Sequence, residues 1–162
     1  MNPLVIAIDS STTATKAIVV DTEGKVLALG RQDIDLLSPQ QGFGEHDPRQ
    51  WWTSTHDAVA QALAQLTPSE KERIAAFGIT HQRESFAPFA ADGTPLRNGI
   101  LWLDIRAADQ VQRYGTPEIH ALSGRPADVT PGLYKMAWLK ENEPESLAKA
   151  DKVTTVSAYI AF

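Results

Sequence analysis

The chain has 162 residues, 43% hydrophobic and 22% charged, with 15 Lys and Arg against 20 Asp and Glu for a net charge of −5. This is enough chain for one ordinary soluble domain, and with no basic cluster it lacks the concentrated positive charge that nucleic acid requires of a partner. Cysteine is absent, which excludes a disulfide framework and thiolate metal sites and suits the cytoplasm.

Leu4-Val5-Ile6-Ala7-Ile8 follows Met1-Asn2-Pro3 directly. With no basic segment before it, the run reads as a strand rather than a signal peptide. No stretch approaches the ~18 apolar residues of a membrane span, so no membrane partner is expected. Three β-rich runs, Leu4 to Asp9, Lys16 to Asp21 and Lys25 to Arg31, fall within the first 31 residues, the last two separated by the turn Asp21-Thr22-Glu23-Gly24. No helix fits between them, so they are expected to pair antiparallel. Ser38 to His46 is polar and Gly/Pro-rich and reads as a surface loop.

Asp47-Pro48 is a helix start, and Trp52, Val59, Ala62, Leu63 and Leu66 follow at helical spacing, so a helix is expected to about Leu66. Thr67-Pro68-Ser69-Glu70 has the form of a capping box. Ile74 to Thr80 reads as a buried strand, followed by a hairpin of Phe86 to Phe89 and Ile100 to Trp102 about the turn 91–95. Helices are expected from Asp104 to about Tyr114, from Pro117 to Leu122, and from Pro131 to Asn142 with Leu133, Met136, Ala137 and Lys140 on one stripe. Val153 to Ile160 is β-prone, and the apolar run ending at Phe162 gives the chain an interrupted look. The order βββαβ predicts an α/β fold, a mixed sheet with three antiparallel N-terminal strands and flanking helices.

Three constellations carry chemistry. Asp9-Ser10-Ser11-Thr12-Thr13-Ala14-Thr15-Lys16 lies in the first strand turn. There Asp9 can hold a hydrated divalent cation, and the hydroxyls and backbone N–H groups can face phosphate oxygens. Hydroxyl-rich turns are also common as plain structure. Next, Gln82, Arg83 and Glu84 leave the end of the strand from Ile74 as an amide, a guanidinium and a carboxylate. Together they can meet adjacent hydroxyls of a polyol, although an Arg–Glu pair is often no more than surface. Finally, Trp102-Leu103-Asp104-Ile105-Arg106 follows the hairpin. An indole can pack on the C–H face of a sugar, and Asp104 with Arg106 can pin the next helix start.

The first constellation resembles the phosphate loop of the actin and hexokinase superfamily, and within it the FGGY carbohydrate kinases, with Ser11 where that family's Asp-x-Gly-Thr pattern has glycine. The run Gly78 to Ser85 is similar to the glycerol kinase version of the family's sugar-binding segment. The chain also matches Trp-x-Asp-x-Arg at Trp102, Asp104 and Arg106, and the junction Glu45-His46-Asp47-Pro48 before the long helix is similar to the family's, with Asp47 read as a cap. Glycerol kinases place a tyrosine near Asp128-Val129-Thr130-Pro131, where this chain has Thr130, so a polyol or sugar other than glycerol stays open.

The resemblance implies a ribonuclease H-like domain over residues 1–162 and a cytoplasmic kinase using ATP and Mg2+. It assigns Asp9 to the metal, with Ser11, Thr12, Thr13 and Lys16 on the phosphate side, and Gln82, Arg83, Glu84, Trp102 and Asp104 on the sugar side. It places the general base and the adenine pocket in a C-terminal domain beyond Phe162, so this chain is expected to be inactive alone and to expose an apolar face toward the missing lobe. Full-length members of the family often associate, which makes a homo-oligomer a further expectation. The alternative is a non-catalytic half that binds a sugar or a protein. His46, His56, His81 and His120 are scattered without zinc-site spacing, and Gly-x-Ser-x-Gly, Walker A and Gly-x-Gly-x-x-Gly runs are all absent.

Overall fold

The computed structural model describes residues 2–161, so the apolar chain end at Phe162 lies outside the described residues. In chain order the elements are β1 (Leu4–Ser10), β2 (Ala14–Asp21), β3 (Val26–Asp33), β4 (Glu45–His46), α1 (Arg49–Ala64), α2 (Pro68–Lys71), β5 (Ile74–His81) and β6 (Phe86–Phe89). They continue with β7 (Gly99–Ile100), α3 (Ala108–Tyr114), α4 (Pro117–Ser123), α5 (Gly132–Asn142), α6 (Pro144–Ala148), β8 (Lys152–Thr155) and α7 (Val156–Ala161). The chain folds as two compact units. One takes the chain up to Asp35, Arg49–Gln82 and the segment from Val156; the other takes Leu36–Pro48 and Arg83–Thr155.

In the first unit β1, β2 and β3 pair antiparallel, as their turn chemistry predicts, and β5 adds parallel to β1 in the order β3-β2-β1-β5. The β2–β3 turn is held by Asp21, whose Oδ1 accepts the N–H groups of Glu23 and Lys25 at 2.9 Å, while Gly24 adopts φ 85°. Helix α1 lies over Leu4, Ile6, Ile8, Ala17, Val19 and Ala28 and contributes Ala58 and Ala62 to the same core, with Leu66 just past its end. Its buried face is Trp51, Ser54, Thr55, Ala58 and Ala62, so Trp52, expected on the buried stripe, is half exposed. A hydrogen bond of 2.8 Å between Thr15 Oγ1 and Ser54 Oγ, with Ala58 close over Gly30, fixes this rotation.

The capping box forms as read: Thr67 accepts from the Glu70 N–H, and the Glu70 carboxylate accepts from the Thr67 N–H at 2.8 Å. Two expectations are corrected. Strand β5 is not buried, since Phe77 is 68% exposed. It is the sheet edge beside an apolar groove of about 480 Å³ lined by Ile8, Trp52, Val59, Leu63, Phe77 and Ile160, among others. The β-prone run from Val153 turns helical after Thr155, because Val156 and Ile160, four residues apart, bury one helical face and Tyr159 meets Trp51 edge-on at 6.0 Å.

The second unit holds a sheet of order β4-β7-β6-β8. The loop expected over 38–46 thus contributes a short strand, with Glu45 opposite Ile100. The hairpin forms with Phe86 opposite Ile100, but Trp102 lies past the strand in a turn. Helix α3 begins at Ala108 rather than Asp104, because residues 104–106 are committed to side-chain bonding described below. Helix α4 has a Thr116 cap and ends at Gly124 with φ 67°. Helix α5 buries Tyr134, Lys135 and Leu139; of the expected stripe, Leu133 and Lys140 are exposed, Ala137 is half-buried and Met136 packs against Phe86, Ile100 and Leu139. Helix α6 has no counterpart in the sequence reading.

Glu141 joins α5 to α3 by accepting hydrogen bonds from Arg113, the Tyr114 hydroxyl at 2.7 Å and Gln110 at 2.8 Å. These bonds hold its carboxyl at about 2, down from 4.5. A depressed carboxyl contributes stability that is fully present above the unfolded value and is lost as pH falls through the folded one. The α3–α5 contact is therefore expected to loosen between pH 4.5 and about 2. A carboxyl 13C titration of Glu141 checks this, and Glu141→Gln should remove that part of the acid sensitivity of α5.

Candidate functional site

The hydroxyl turn between β1 and β2 is closed by Ser11, whose N–H and hydroxyl both donate to the Ala14 carbonyl at 3.0 and 2.7 Å. Among the described residues Glu84 is the one non-glycine with positive φ, so Ser11 takes an ordinary backbone conformation where the family pattern has glycine. Ser10 and Thr15 point into the core beneath α1. Period-two alternation therefore sends Asp9 and Lys16, direct partners across β1 and β2, to the other face, where both are exposed. Thr13 is exposed at the tip and Thr12 is partly so. One carboxylate, one ammonium and two hydroxyls thus surround a tight backbone turn.

Gln82 follows β5 and belongs to the same unit. Its N–H donates to the Ser10 carbonyl at 3.0 Å, its amide nitrogen to the Ser11 carbonyl at 3.3 Å, and its amide oxygen accepts from Thr12 Oγ1 at 3.2 Å. The sequence reading put Gln82 on the sugar side; its side chain braces the hydroxyl turn instead.

Arg83 and Glu84 open the second unit. Arg83 is exposed. Glu84 sits at φ 65°, a region that costs a non-glycine residue about 1 kcal/mol or more. Two bonds hold it there: Oε2 accepts the Gly132 N–H at the start of α5, and Oε1 accepts from Arg125, both at 2.7 Å. The helix N-terminus also favours the negative charge.

Trp102 is 41% exposed, and its backbone is pinned on both sides. Its N–H donates to the buried Ser85 hydroxyl at 3.0 Å, and its carbonyl accepts from Lys135 Nζ at 3.0 Å. Lys135 also donates to the Thr130 carbonyl at 2.6 Å. Burial lowers the Lys135 ammonium to about 8, although Asp104, Glu84 and Asp128 act in the opposite direction. Tyr134 is buried and does not supply an exposed phenol near Thr130.

The sequence reading gave Asp104 both to the sugar and, with Arg106, to the start of the next helix. Asp104 is 0% exposed, and both its oxygens are taken: Oδ2 by the Gly44 N–H at 2.7 Å and an Arg106 terminal nitrogen at 2.8 Å, Oδ1 by the Arg106 N–H and Nε at 2.9 Å. Glu45 accepts from Arg106, Arg97 and Asn98, and the Arg106 guanidinium lies 3.9 Å from the Phe43 ring centroid. Burial opposes the Arg106 charge, but the bonds to Asp104 and Glu45 outweigh it and hold the group above its ordinary value. This cluster ties β4 to the turn after β7 and leaves Asp104 no free lone pair facing outward.

The sequence reading missed Arg125, Gly132 and Lys135. No local signal marks them, since each acquires its role from a residue at least 30 positions away in the chain.

Three antiparallel strands about a hydroxyl turn, a parallel fourth strand and a covering helix define an α/β domain of the actin/hexokinase-like class, and the solved structures that superpose on it are sugar kinases of that fold. The chain belongs to the FGGY family of carbohydrate kinases, whose N-terminal domain matches residues 4–162. It is 35% identical over 158 residues to a glycerol kinase of Thermococcus gammatolerans, covering 94% of this chain and 31% of that protein. A xyloylose kinase from Brucella ovis superposes with a TM-score of 0.91 at 25% identity, over 98% of this chain and 33% of that one. A gluconate kinase from Lactobacillus acidophilus superposes at 0.90 with 27% identity, over 100% and 33%. The chain therefore spans about a third of the length of the relatives it matches. Among the described residues no helix is long and apolar enough to cross a membrane.

Proposed function

We propose that this chain supplies the phosphate loop and the sugar-contacting residues of an ATP-dependent kinase that transfers a phosphoryl group to a hydroxyl of a polyol or sugar. The observation that carries the phosphate half is the turn itself: Asp9 and Lys16 stand side by side on the exposed face, with Thr12 and Thr13 at the tip and Gln82 bracing the backbone. A donor set of one carboxylate with hydroxyls suits Mg2+, which keeps several waters and binds through one or two carboxylates plus substrate phosphates. Asp9 would hold that ion with ATP, and the ion would neutralise charge on the phosphate oxygens. Ser11, Thr12 and Thr13 offer N–H and hydroxyl donors to the phosphates, and Lys16 adds a supporting charge.

On the sugar side Arg83, Glu84 and Trp102 remain the contacts in this reading. Arg83 and Glu84 offer donors and acceptors to neighbouring hydroxyls, and the indole offers an apolar face. Asp104 drops out because its oxygens are already used. The relatives act on glycerol, xyloylose and gluconate by name, so the fold leaves the choice of polyol or sugar open. These kinase relatives do not favour a non-catalytic binding module. A second lobe, outside the matched third of the relatives, contributes the general base and the adenine pocket in this proposal, and covers the apolar groove beside β5.

The test is an NMR titration of the purified chain with glycerol, D-xylulose and D-gluconate. Shifts confined to Arg83, Glu84 and the Trp102 indole are expected with at least one of them. A well-dispersed spectrum unmoved by all three would overturn the sugar-side assignment. A coupled assay should show no ADP release above background, and sustained turnover would show that the chain already contains its general base.

A further inference from the structure

We propose that Lys135 is a positioning residue for the sugar half-site: its buried ammonium binds the Trp102 and Thr130 carbonyls together and so sets where the Trp102 indole stands. The inference rests on the sugar-side reading above and adds a residue to it.

A lysine is among the residues least often buried without a paired carboxylate. Lys135 is 0% exposed, yet the acceptors it reaches are two backbone carbonyls, Trp102 at 3.0 Å and Thr130 at 2.6 Å. Burying a long charged side chain is unfavourable unless hydrogen bonds and nearby charges compensate it. Here it joins three separate pieces of chain. The Trp102 N–H rests on Ser85, which follows Glu84 directly, and the Glu84 carboxylate rests on Gly132. The Trp102 carbonyl and the Thr130 carbonyl then meet at Lys135. Segments 84–85, 102 and 130–135 are thereby closed into one hydrogen-bonded ring about the ammonium. With the Trp102 backbone fixed at both its N–H and its carbonyl, the base from which the half-exposed ring projects is set, and a preset base leaves less to order when a sugar packs on the ring.

The charged groups that face Lys135 are Asp104, Glu84 and Asp128, which favour its ammonium form, and Arg106, which opposes it together with burial. Its proton is therefore expected to leave at about 8. That supplies a readout which a merely space-filling residue would not give. Neutral Lys135 keeps fewer donors and no charge, so both carbonyl bonds weaken together.

The experiment follows the 13C carbonyl shifts of Trp102 and Thr130 and the Trp102 indole N–H of the 162-residue chain from about pH 6 to about pH 10. A shared inflection near pH 8 in all three is expected. In Lys135→Met, which keeps the length but not the charge, that inflection should vanish and the indole resonance should move or broaden. The affinity for whichever of glycerol, D-xylulose and D-gluconate shifts the wild-type indole should fall about tenfold. Dispersion of the β4, β6 and β7 amides, in the unit that holds Lys135, serves as the folding control, and if this variant does not fold, the wild-type titration still decides. Carbonyls that titrate while the indole stays fixed would overturn the proposal, as would a folded Lys135→Met with an unchanged indole. If the indole follows Lys135 but none of the three moves it, the positioning stands and the sugar reading falls.

Discussion

Asp104→Ala is expected to destabilise the second unit by about 3–5 kcal/mol, seen as early loss of amide protection in β4, β6 and β7 during urea unfolding. The carboxylate is buried, and its removal strands the Gly44 N–H and three donors of Arg106 at once. Arg106 would keep Glu45 and the Phe43 face, but Glu45 already serves Arg97 and Asn98. Removing one partner of a buried ionic cluster costs more than the pair contributes, because the remaining charge cannot recover its hydration. A sugar-contacting role would predict the opposite pattern, with stability nearly unchanged and sugar-induced indole shifts lost. Asp104→Asn should lie between, since an amide retains one acceptor oxygen.

Gly30→Ala is expected to destabilise the first unit by about 3 kcal/mol, a fall in Tm of roughly 6–12 °C. Relief of glycine's conformational entropy in a strand would by itself stabilise by up to ~1 kcal/mol, so local propensity gives the wrong sign. A Cβ on Gly30 would collide with the Ala58 carbonyl oxygen and lie 2.9 Å from the Ala62 nitrogen, both backbone atoms of α1. Neither can yield without lifting the helix from Ala17, Ala28 and the Thr15–Ser54 bond. Calorimetry checks the magnitude. Unchanged or raised stability would mean that α1 moves away at little cost.

The two cases mark how far the sequence could be read. The three-strand start was legible because its information is local: alternation within each run, Asp21 and Gly24 at the turn, and no room for a helix. The capping box at Thr67 was legible for the same reason. The places of Asp9 and Lys16 about the first turn and of Arg83 and Glu84 after β5 were legible too, whereas which face the first pair takes came from the register of β1 with β2. The pairing of Asp104 with Arg106 was legible from their spacing, whereas the bonds of Gln82 to the hydroxyl turn were not, because Ser11 and Thr12 lie about 70 positions away.

By itself, then, the sequence determined the antiparallel strands at the start, the capping box at Thr67 and the family-specific run of hydroxyl, amide and carboxylate residues. Each of those depends on neighbours within a few positions. Tertiary structure alone decided which polar groups are buried and satisfied and which remain open to a ligand. It put Asp104 and Lys135 inside and left Trp102 half exposed, turned Val156 to Ala161 into a helix, and left β5 at a sheet edge. The physical reason is that a side chain's desolvation and its hydrogen-bond partners are set by residues distant in the chain. Propensity, which sums over near neighbours, carries no record of them.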